Sequence, residues 1–410
     1  MQNLALFCSC VILMACSQSS EQTNIQNMDS MAIVEKAHNL AHEFIITDGH
    51  IDIPYRLNEL MEDISVRTEK GEFDFVRAKE GGLDAPFMSI YVPSSYQETG
   101  GAREFAEKMI ELVEEIQAQN PDKFAIARSP REVEKLVAKG LIALPMGMEN
   151  GAPIEEDLSN IQYFYDRGIR YITLTHATDN LICDSSYDTT HTWDGLSPFG
   201  IQVVQEMNKV GIMVDVSHIS DSAFYQVMKV SQAPVIASHS SCRHFTPGWE
   251  RNMTDDMIKE LAANGGVIQI NFGSTFLEEV SSESNKDIKN HLSQWQETQN
   301  EFDNEDQIKV YKDKYHHDHF VYSTVARVVD HIDHVVSVAG MNHVAFGSDF
   351  DGVGDSLPVG LKDVSQYPNI IAELLRRGYS EEDIARICYK NVFRVWNQTA
   401  KIATRMQQSS

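Results

Sequence analysis

The chain has 410 residues, 42 % apolar and 23 % charged, enough for a large core and too apolar for wholesale disorder. Sixty Asp and Glu against thirty-four Lys and Arg leave a net charge of −26. That balance argues against a nucleic-acid-binding protein, which needs a basic face, and against electrostatic adhesion to anionic lipid.

At the N-terminus, Leu4 to Ala15 is apolar and uncharged, and shorter than the roughly 20 residues that span a bilayer. It fits the apolar core of a secretory signal, although no Lys or Arg precedes it. Leu13-Met14-Ala15-Cys16 then resembles a lipobox, where bacterial lipoproteins are cleaved and lipidated on the cysteine. The reading is a signal peptide over 1–15, lipidation of Cys16, a polar tether over 16–30, and a protein anchored in the bacterial cell envelope rather than spanning a membrane.

From residue 31 onward, short apolar runs alternate with longer helical patterns. The predicted strands are Phe44–Ile51, Pro86–Val92, Leu141–Met148, Arg170–Leu174, Ile212–Val216, Pro234–Ala237, Gly266–Ile270 and His343–Phe346. Predicted helices between them include Ala102–Gln119, Leu158–Arg167, Gly200–Lys209, Ala223–Lys229 and Thr254–Ala263, with helix starts at Ser220-Asp221 and Met253-Thr254-Asp255-Asp256. Continuous apolar strands such as Leu141-Ile142-Ala143-Leu144 suit parallel strands buried on both faces. Alternating units in this number predict a (β/α)8 TIM-like barrel, with a doubly wound open sheet as runner-up. Residues 274–320 break the rhythm and read as a partly helical insertion. The catalytic domain is expected over 31–400, followed by a polar tail over 401–410.

Ionisable residues collect at the strand ends. His50 and Asp52 close the first predicted strand; Glu149, His176, His218, His239 and Asp349 follow the third, fourth, fifth, sixth and eighth. In a barrel these ends share one face, where active sites lie. An isolated His at a strand end more often bonds a loop carbonyl, but the shared face reverses that reading. His50 and Asp52, two positions apart, point to the same side of an extended strand. Imidazoles plus carboxylates without thiolates suit Zn²⁺, with Mn²⁺ or Co²⁺ as substitutes. Two ions about 3.5–4 Å apart would hold and acidify a bridging water, and Glu149, with two carboxylate oxygens, suits the bridging position.

The segments Asp48-Gly49-His50-Ile51-Asp52-Ile53-Pro54, Gly147-Met148-Glu149-Asn150-Gly151, Thr173-Leu174-Thr175-His176, Val214-Asp215-Val216-Ser217-His218, Ser238-His239-Ser240-Ser241, Arg251-Asn252 and Gly347-Ser348-Asp349-Phe350-Asp351-Gly352 resemble the membrane dipeptidases, also called renal dipeptidases, zinc peptidase family M19. The match runs in family order from about residue 44 to 397. The resemblance implies a TIM-like barrel with two zinc ions, one on His50 and Asp52, the other on His218 and His239, with Glu149 between them. It implies hydrolysis of dipeptides by a metal-bridging hydroxide. His176 would stabilise the oxyanion, Arg251 would bind the substrate carboxylate, and Asp349 would contact the amino group and assist proton transfer. Phe272 stands where a family aromatic faces substrate.

Several residues read as decoys. His316, His317 and His319 lie in the insertion, and His331 and His334, one helical turn apart, are expected to face solvent; none is read as a ligand. His191 is ambiguous, and Asp351 is read as a loop anchor. Cys183, Cys242 and Cys388 read as buried thiols, with a Cys183–Cys242 disulfide as the alternative. Two rival functions are another metal-dependent amide hydrolase acting on N-acyl amino acids or lactams, and a non-catalytic peptide- or metal-binding lipoprotein. The oligomeric state is open, a homodimer included.

Overall fold

The computed structural model describes residues 30–298 and 305–409. The expected signal peptide, Cys16 and nearly all of the tether lie outside the described residues.

The described residues form ten strands: β1 (Ile46–Ile51), β2 (Leu83–Tyr91), β3 (Phe124–Ile126), β4 (Ile142–Leu144), β5 (Met146–Glu149), β6 (Ile169–Thr173), β7 (Met213–Asp215), β8 (Ile236–Ser240), β9 (Val267–Ile270) and β10 (Val344–Phe346). Eight of them make one parallel sheet in the order β1-β2-β5-β6-β7-β8-β9-β10. The ring closes where the chain beyond β10 meets the end of β1: Asp349 N donates to His50 O (3.0 Å) and Asp52 N to Phe350 O (2.9 Å). Asp48 ties the same seam, its Oδ1 accepting from His50 N (3.0 Å) and Ser348 N (2.9 Å). The expected TIM-like barrel is therefore the fold, and the open doubly wound sheet is not.

One predicted strand is corrected. Leu141–Met148 divides at Pro145, which has no N–H to donate to a ladder. The first half, β4, pairs with β3 in a separate two-stranded sheet, and only the second half, β5, enters the barrel. Helix starts follow their caps: Ser197, Ser220 and Thr254 each accept a backbone N–H three residues on, opening Pro198–Val210, Asp221–Val230 and Asp255–Ala263. The helix Ala102–Gln119 buries Ala106, Met109, Ile110, Val113 and Ile116, the 3.6-residue stripe its sequence carries.

The barrel interior is stacked in layers. Phe393 and Trp396, from the C-terminal helix Asn391–Ser409, are buried in a cluster with Ala85, Phe87, Met213, Ile236 and Val267 from the strands. Trp396 packs on Phe87 (5.3 Å between ring centres), and Phe87 packs on Tyr171 (5.5 Å). Tyr171 needs Gly147 beside it, since a Cβ there would fall 2.0 Å from Tyr171 Cζ. The polar tail expected over 401–410 is helical in its described part. The last helix continues through it to Ser409, with Ala403 buried and Gln407 Nε2 bonded to Lys209 O (2.9 Å).

The insertion is more helical than its composition suggests. Glu279–Thr298 and Glu305–His319 pack through ring stacks, His291 on Tyr315 (4.0 Å) and Trp295 on Tyr311 (4.2 Å). Among the described residues no helix is long and apolar enough to cross a membrane. Cys183, Cys242 and Cys388 are buried free thiols, so the Cys183–Cys242 disulfide does not form.

Candidate metal centre and substrate cavity

Strand ends bring the predicted residues together. His50 lies in β1 and Asp52 just after it, Glu149 ends β5, and His239 lies in β8. His176, His218 and Asp349 sit in the turns after β6, β7 and β10. Two of these turns hold strained positions: His218 has φ 70° and Asp349 φ 64°, left-handed conformations that non-glycine residues adopt at a cost.

Glu149 is the hub. Its Oε2 lies 3.4 Å from His50 Nε2, while its Oε1 lies 3.0 Å from His218 Nε2, 3.3 Å from His239 Nε2 and 3.7 Å from His176 Nε2. The two oxygens thus face different sets of imidazoles. His50 Nε2 is also 3.5 Å from Asp52 Oδ1. Three groups have mutually close ligand atoms: His50, Glu149 and His239; Glu149, His176 and His218; and His50, Asp52 and Asp349. His176 and Asp349, read from sequence as catalytic rather than ligating, therefore stand within ligand reach.

The donors fit a divalent cation. His50 Nε2 and Asp52 Oδ1 are buried without a hydrogen-bond partner, a costly arrangement unless something else satisfies them. His218 Nε2 and His239 Nε2 point at each other across 2.8 Å. Burial, reinforced for His218 by Arg251 and for His239 by His50 and Arg251, holds both pKa values well below the usual histidine value. Both rings are thus kept neutral, the form that ligates metal. Burial alone would raise the Glu149 pKa, but His50, His176, His218 and His239 outweigh it and hold the carboxylate ionised.

Partners behind the ligands fix two of the rings. Tyr171 OH lies 2.8 Å from His50 Nδ1. Ser238 Oγ lies 2.7 Å from His239 Nδ1 and donates to Asp215 Oδ2 (2.6 Å), while Asp215 Oδ1 accepts from Ser217 N and Ser238 N. These contacts leave Nε2 of each ring directed at the cluster. Sequence reasoning missed Tyr171, which lies inside β6 and carries no strand-end signal, and also Asp215, which ends β7, and Ser238, which directly follows the predicted strand Pro234–Ala237. It also missed Asn271, directly after β9, whose Nδ2 donates to Asp349 Oδ2 (2.7 Å). That residue obeys the strand-end rule and could have been found by it. Burial first, then the Asp52 charge, raises the Asp349 pKa to about 7.

A cavity of about 730 Å³ opens over the cluster. Asp52, Glu149, His176, His218, His239 and Asp349 line it, with Tyr55, Tyr91, Tyr187 and Phe276 as its aromatic walls. Tyr91 meets His176 edge-on (4.8 Å).

Not every expected residue reaches this space. Arg251 is 2 % exposed and does not line the cavity. Its Nη1 donates to Ser240 Oγ (2.7 Å) and its Nη2 to His239 O (2.8 Å), and Nη2 lies 3.0 Å from His218 Nε2. Phe272 is fully buried among Phe346, Phe350 and Tyr367, so the aromatic that faces the cavity is Phe276 instead. His331 does not face solvent: it is fully buried, its Nδ1 accepting from Cys242 N (3.0 Å) and its Nε2 lying 2.9 Å from Leu277 O. It shares its helix face with Val328, Val329, Ile332 and Val335. His334 is half-buried and pairs with Asp255 (2.7 Å). His191 is exposed and away from the cavity. The Asp351 and Glu72 carboxylates each accept the other residue's backbone N–H, and Asp351 Oδ2 lies 3.3 Å from Arg56 Nε, as a loop anchor does. His316 belongs to none of the ligand groups but does line the cavity, together with Asn285 of the insertion.

A family profile, membrane dipeptidase (peptidase family M19), matches residues 34–410. An uncharacterized dipeptidase of Schizosaccharomyces pombe is 31 % identical over 89 % of this chain and 83 % of its own length. Dipeptidase verJ of Clonostachys rogersoniana is 31 % identical over 92 % of this chain and 89 % of its own. Among solved structures, the probable dipeptidase PvdM from Pseudomonas aeruginosa superposes with a TM-score of 0.75 at 26 % identity, over 90 % of this chain and 99 % of that one.

Proposed function

The chain belongs to the membrane dipeptidase family, peptidase family M19, and is a metallo-dipeptidase; from that premise we propose that it cleaves the single peptide bond of dipeptides on a pair of zinc ions held by His50, Asp52, Glu149, His218 and His239. The observation that carries this reading is the split of Glu149, one oxygen toward His50 and the other toward His218 and His239. Divalent ions held by these residues would supply Lewis acidity and would lower the pKa of a bound water enough to make a nucleophile available near neutral pH. Nitrogen and carboxylate donors without thiolate favour zinc, with Mn²⁺ or Co²⁺ as substitutes.

The protein groups divide the remaining work. Asp349, with its pKa raised to about 7 by burial and by Asp52, can take and return a proton near neutral pH, and Asn271 holds its carboxyl in place. Asp349 also serves the substrate amino group. Burial lowers the His176 pKa, and the neutral ring then donates one N–H toward the forming oxyanion. Arg251 binds the substrate carboxylate through its planar fork. Arg251 and a cation cannot share His218 Nε2, so the loaded site would require the guanidinium to turn from that nitrogen; the cavity wall Phe276 lies beside it, 5.1 Å from its ring centre. The barrel with its insertion is the catalytic unit, and Cys16 is the lipid attachment point that anchors it in a bacterial envelope, a reading supported by the Leu-Met-Ala-Cys sequence alone.

The experiment compares a free dipeptide, its C-terminal amide and its N-acetyl derivative with metal-loaded protein. Turnover of the free dipeptide with strong discrimination against both blocked forms is expected. Equal turnover of all of them would replace the dipeptidase reading with a general amide hydrolase.

A further inference from the structure

The cavity has a wall that the strand ends do not build. Asn285, on the helix Glu279–Thr298, and His316, on Glu305–His319, both line it. The His316 ring is held by stacking on Phe320 (4.7 Å). Neither the Asn285 amide nor the neighbouring Thr275 hydroxyl has a hydrogen-bond partner among the described residues.

A groove of about 430 Å³ continues from this wall, sharing Tyr187, Thr275, Phe276 and Asn285 with the main cavity. It adds Lys286 and Lys289. Positions 285, 286 and 289 fall on one side of a helix. Both lysines are exposed, and neither has an ion-pair partner among the described residues. Glu279 and Glu283 border an adjoining depression that shares Trp249, Ser282 and Lys286 with the groove, and neither carboxylate pairs with Lys286. In a chain of net charge −26 an anion meets repulsion over most of the surface, so a free pair of ammonium groups at a cavity mouth has a large say in which anion is held.

The groove also has an end. Phe276, which it shares with the cavity, has its ring centre 5.1 Å from the Arg251 guanidinium, and Tyr187, also shared, packs on His218 (5.8 Å), whose Nε2 lies 3.0 Å from Arg251 Nη2. A substrate whose carboxylate meets Arg251 therefore has the side chain of its carboxyl-terminal residue next to the groove.

The geometry points to a specificity subsite, built by the insertion, that takes an acidic side chain on the carboxyl-terminal residue of the dipeptide, with Lys286 and Lys289 receiving its carboxylate. This rests on the dipeptidase reading and on Arg251 as the carboxylate ligand.

The test is kcat/KM for Ala-Asp against Ala-Asn and for Ala-Glu against Ala-Gln, on wild type and on Lys286→Gln/Lys289→Gln. Two charge-assisted hydrogen bonds predict about a tenfold or greater preference of the wild type for the acidic member of each pair. The double variant should bring that ratio near one while leaving Ala-Asn and Ala-Gln turnover unchanged. A second double variant, Lys229→Gln/Lys401→Gln, removes the same charge from the opposite end of the barrel and should keep the wild-type ratio. Wild-type ratios near one, or ratios unaltered by Lys286→Gln/Lys289→Gln, would overturn the subsite. A loss of the ratio in both double variants would also overturn it, because the preference would then belong to overall charge. Failure to cleave any of the four dipeptides would instead strike the dipeptidase reading.

Discussion

Tyr171→Phe tests how the protein prepares its metal ligands. The phenyl ring is retained, so packing on Phe87 and the fit beside Gly147 are undisturbed; only the hydroxyl 2.8 Å from His50 Nδ1 is lost. Against burial, Tyr171, Glu149 and Asp52 hold the metal-free His50 pKa well above the usual histidine value, so the comparison is made at a pH high enough for a neutral ring, which without metal can keep its proton on Nε2 beside Glu149 Oε2 and Asp52 Oδ1. Once Nε2 is committed to a cation, the proton must sit on Nδ1, where wild type offers the phenol oxygen and the variant offers nothing. His50 is fully buried, and an unpaired buried donor costs about 1–3 kcal/mol. That cost falls on the loaded state and corresponds to about 5- to 150-fold weaker binding at 1.4 kcal/mol per decade, in line with the roughly 10- to 100-fold typical of groups behind a metal ligand. The assay is competition for Zn²⁺ against a chromophoric chelator, with the melting temperature of metal-free protein measured alongside. Affinity should fall while the metal-free melting temperature moves little. Unchanged affinity, or a matching loss of stability in the metal-free protein, would refute the orienting role.

Other outcomes follow from the same contacts. Arg251→Ala should lower kcat/KM for a free dipeptide by about 10- to 150-fold while leaving metal content unchanged; it should barely alter turnover of the dipeptide amide, and equal losses on both would make the arginine structural. Gly147→Ala should destabilise the fold, because its Cβ has no room 2.0 Å from Tyr171 Cζ; thermal unfolding at wild-type temperature would contradict the packing described. His331 is buried with its pKa pushed down to about 3, chiefly by burial. The unfolded chain therefore binds a proton below the usual histidine value of about 6.5 that the native chain refuses, so stability falls as pH drops from 6.5 toward 3. His331→Gln should flatten the pH dependence of urea unfolding across that window by up to about 1.4 kcal/mol per pH unit, and an unaltered slope would place the proton elsewhere. Intact-mass analysis of membrane-extracted protein should show loss of residues 1–15 and acylation of Cys16, and an unmodified Met1 terminus would refute the anchor.

The parts of the fold legible in the sequence were those set by local pattern. The stripe of Ala102–Gln119 and the caps Ser220 and Thr254 announce their helices, and the polar residues punctuating apolar strands mark the barrel mouth. His50, Asp52, Glu149, His176, His218, His239 and Asp349 were found that way, because a parallel barrel converts a strand end into a shared face. The misses are tertiary. Pro145 divides an apolar run that periodicity reads as one strand, and nothing local says that its halves join different sheets. Tyr171 looks like an ordinary core aromatic until the layers beneath it place its hydroxyl under His50. His331 was misjudged on its spacing to His334, when its spacing to Val328 and Val335 would have put it on the buried face. Asn285 and His316 come to the cavity only through the packing of two polar helices, which composition does not foretell.

The central claim is a binuclear metal centre organised by Glu149. Metal-depleted protein titrated with Zn²⁺ while dipeptide hydrolysis and bound metal are followed together should show activity rising with occupancy and levelling at two ions per chain. Glu149→Gln should abolish turnover and lower the stoichiometry. Full activity in protein verified to be metal-free, or in Glu149→Gln, would contradict the account.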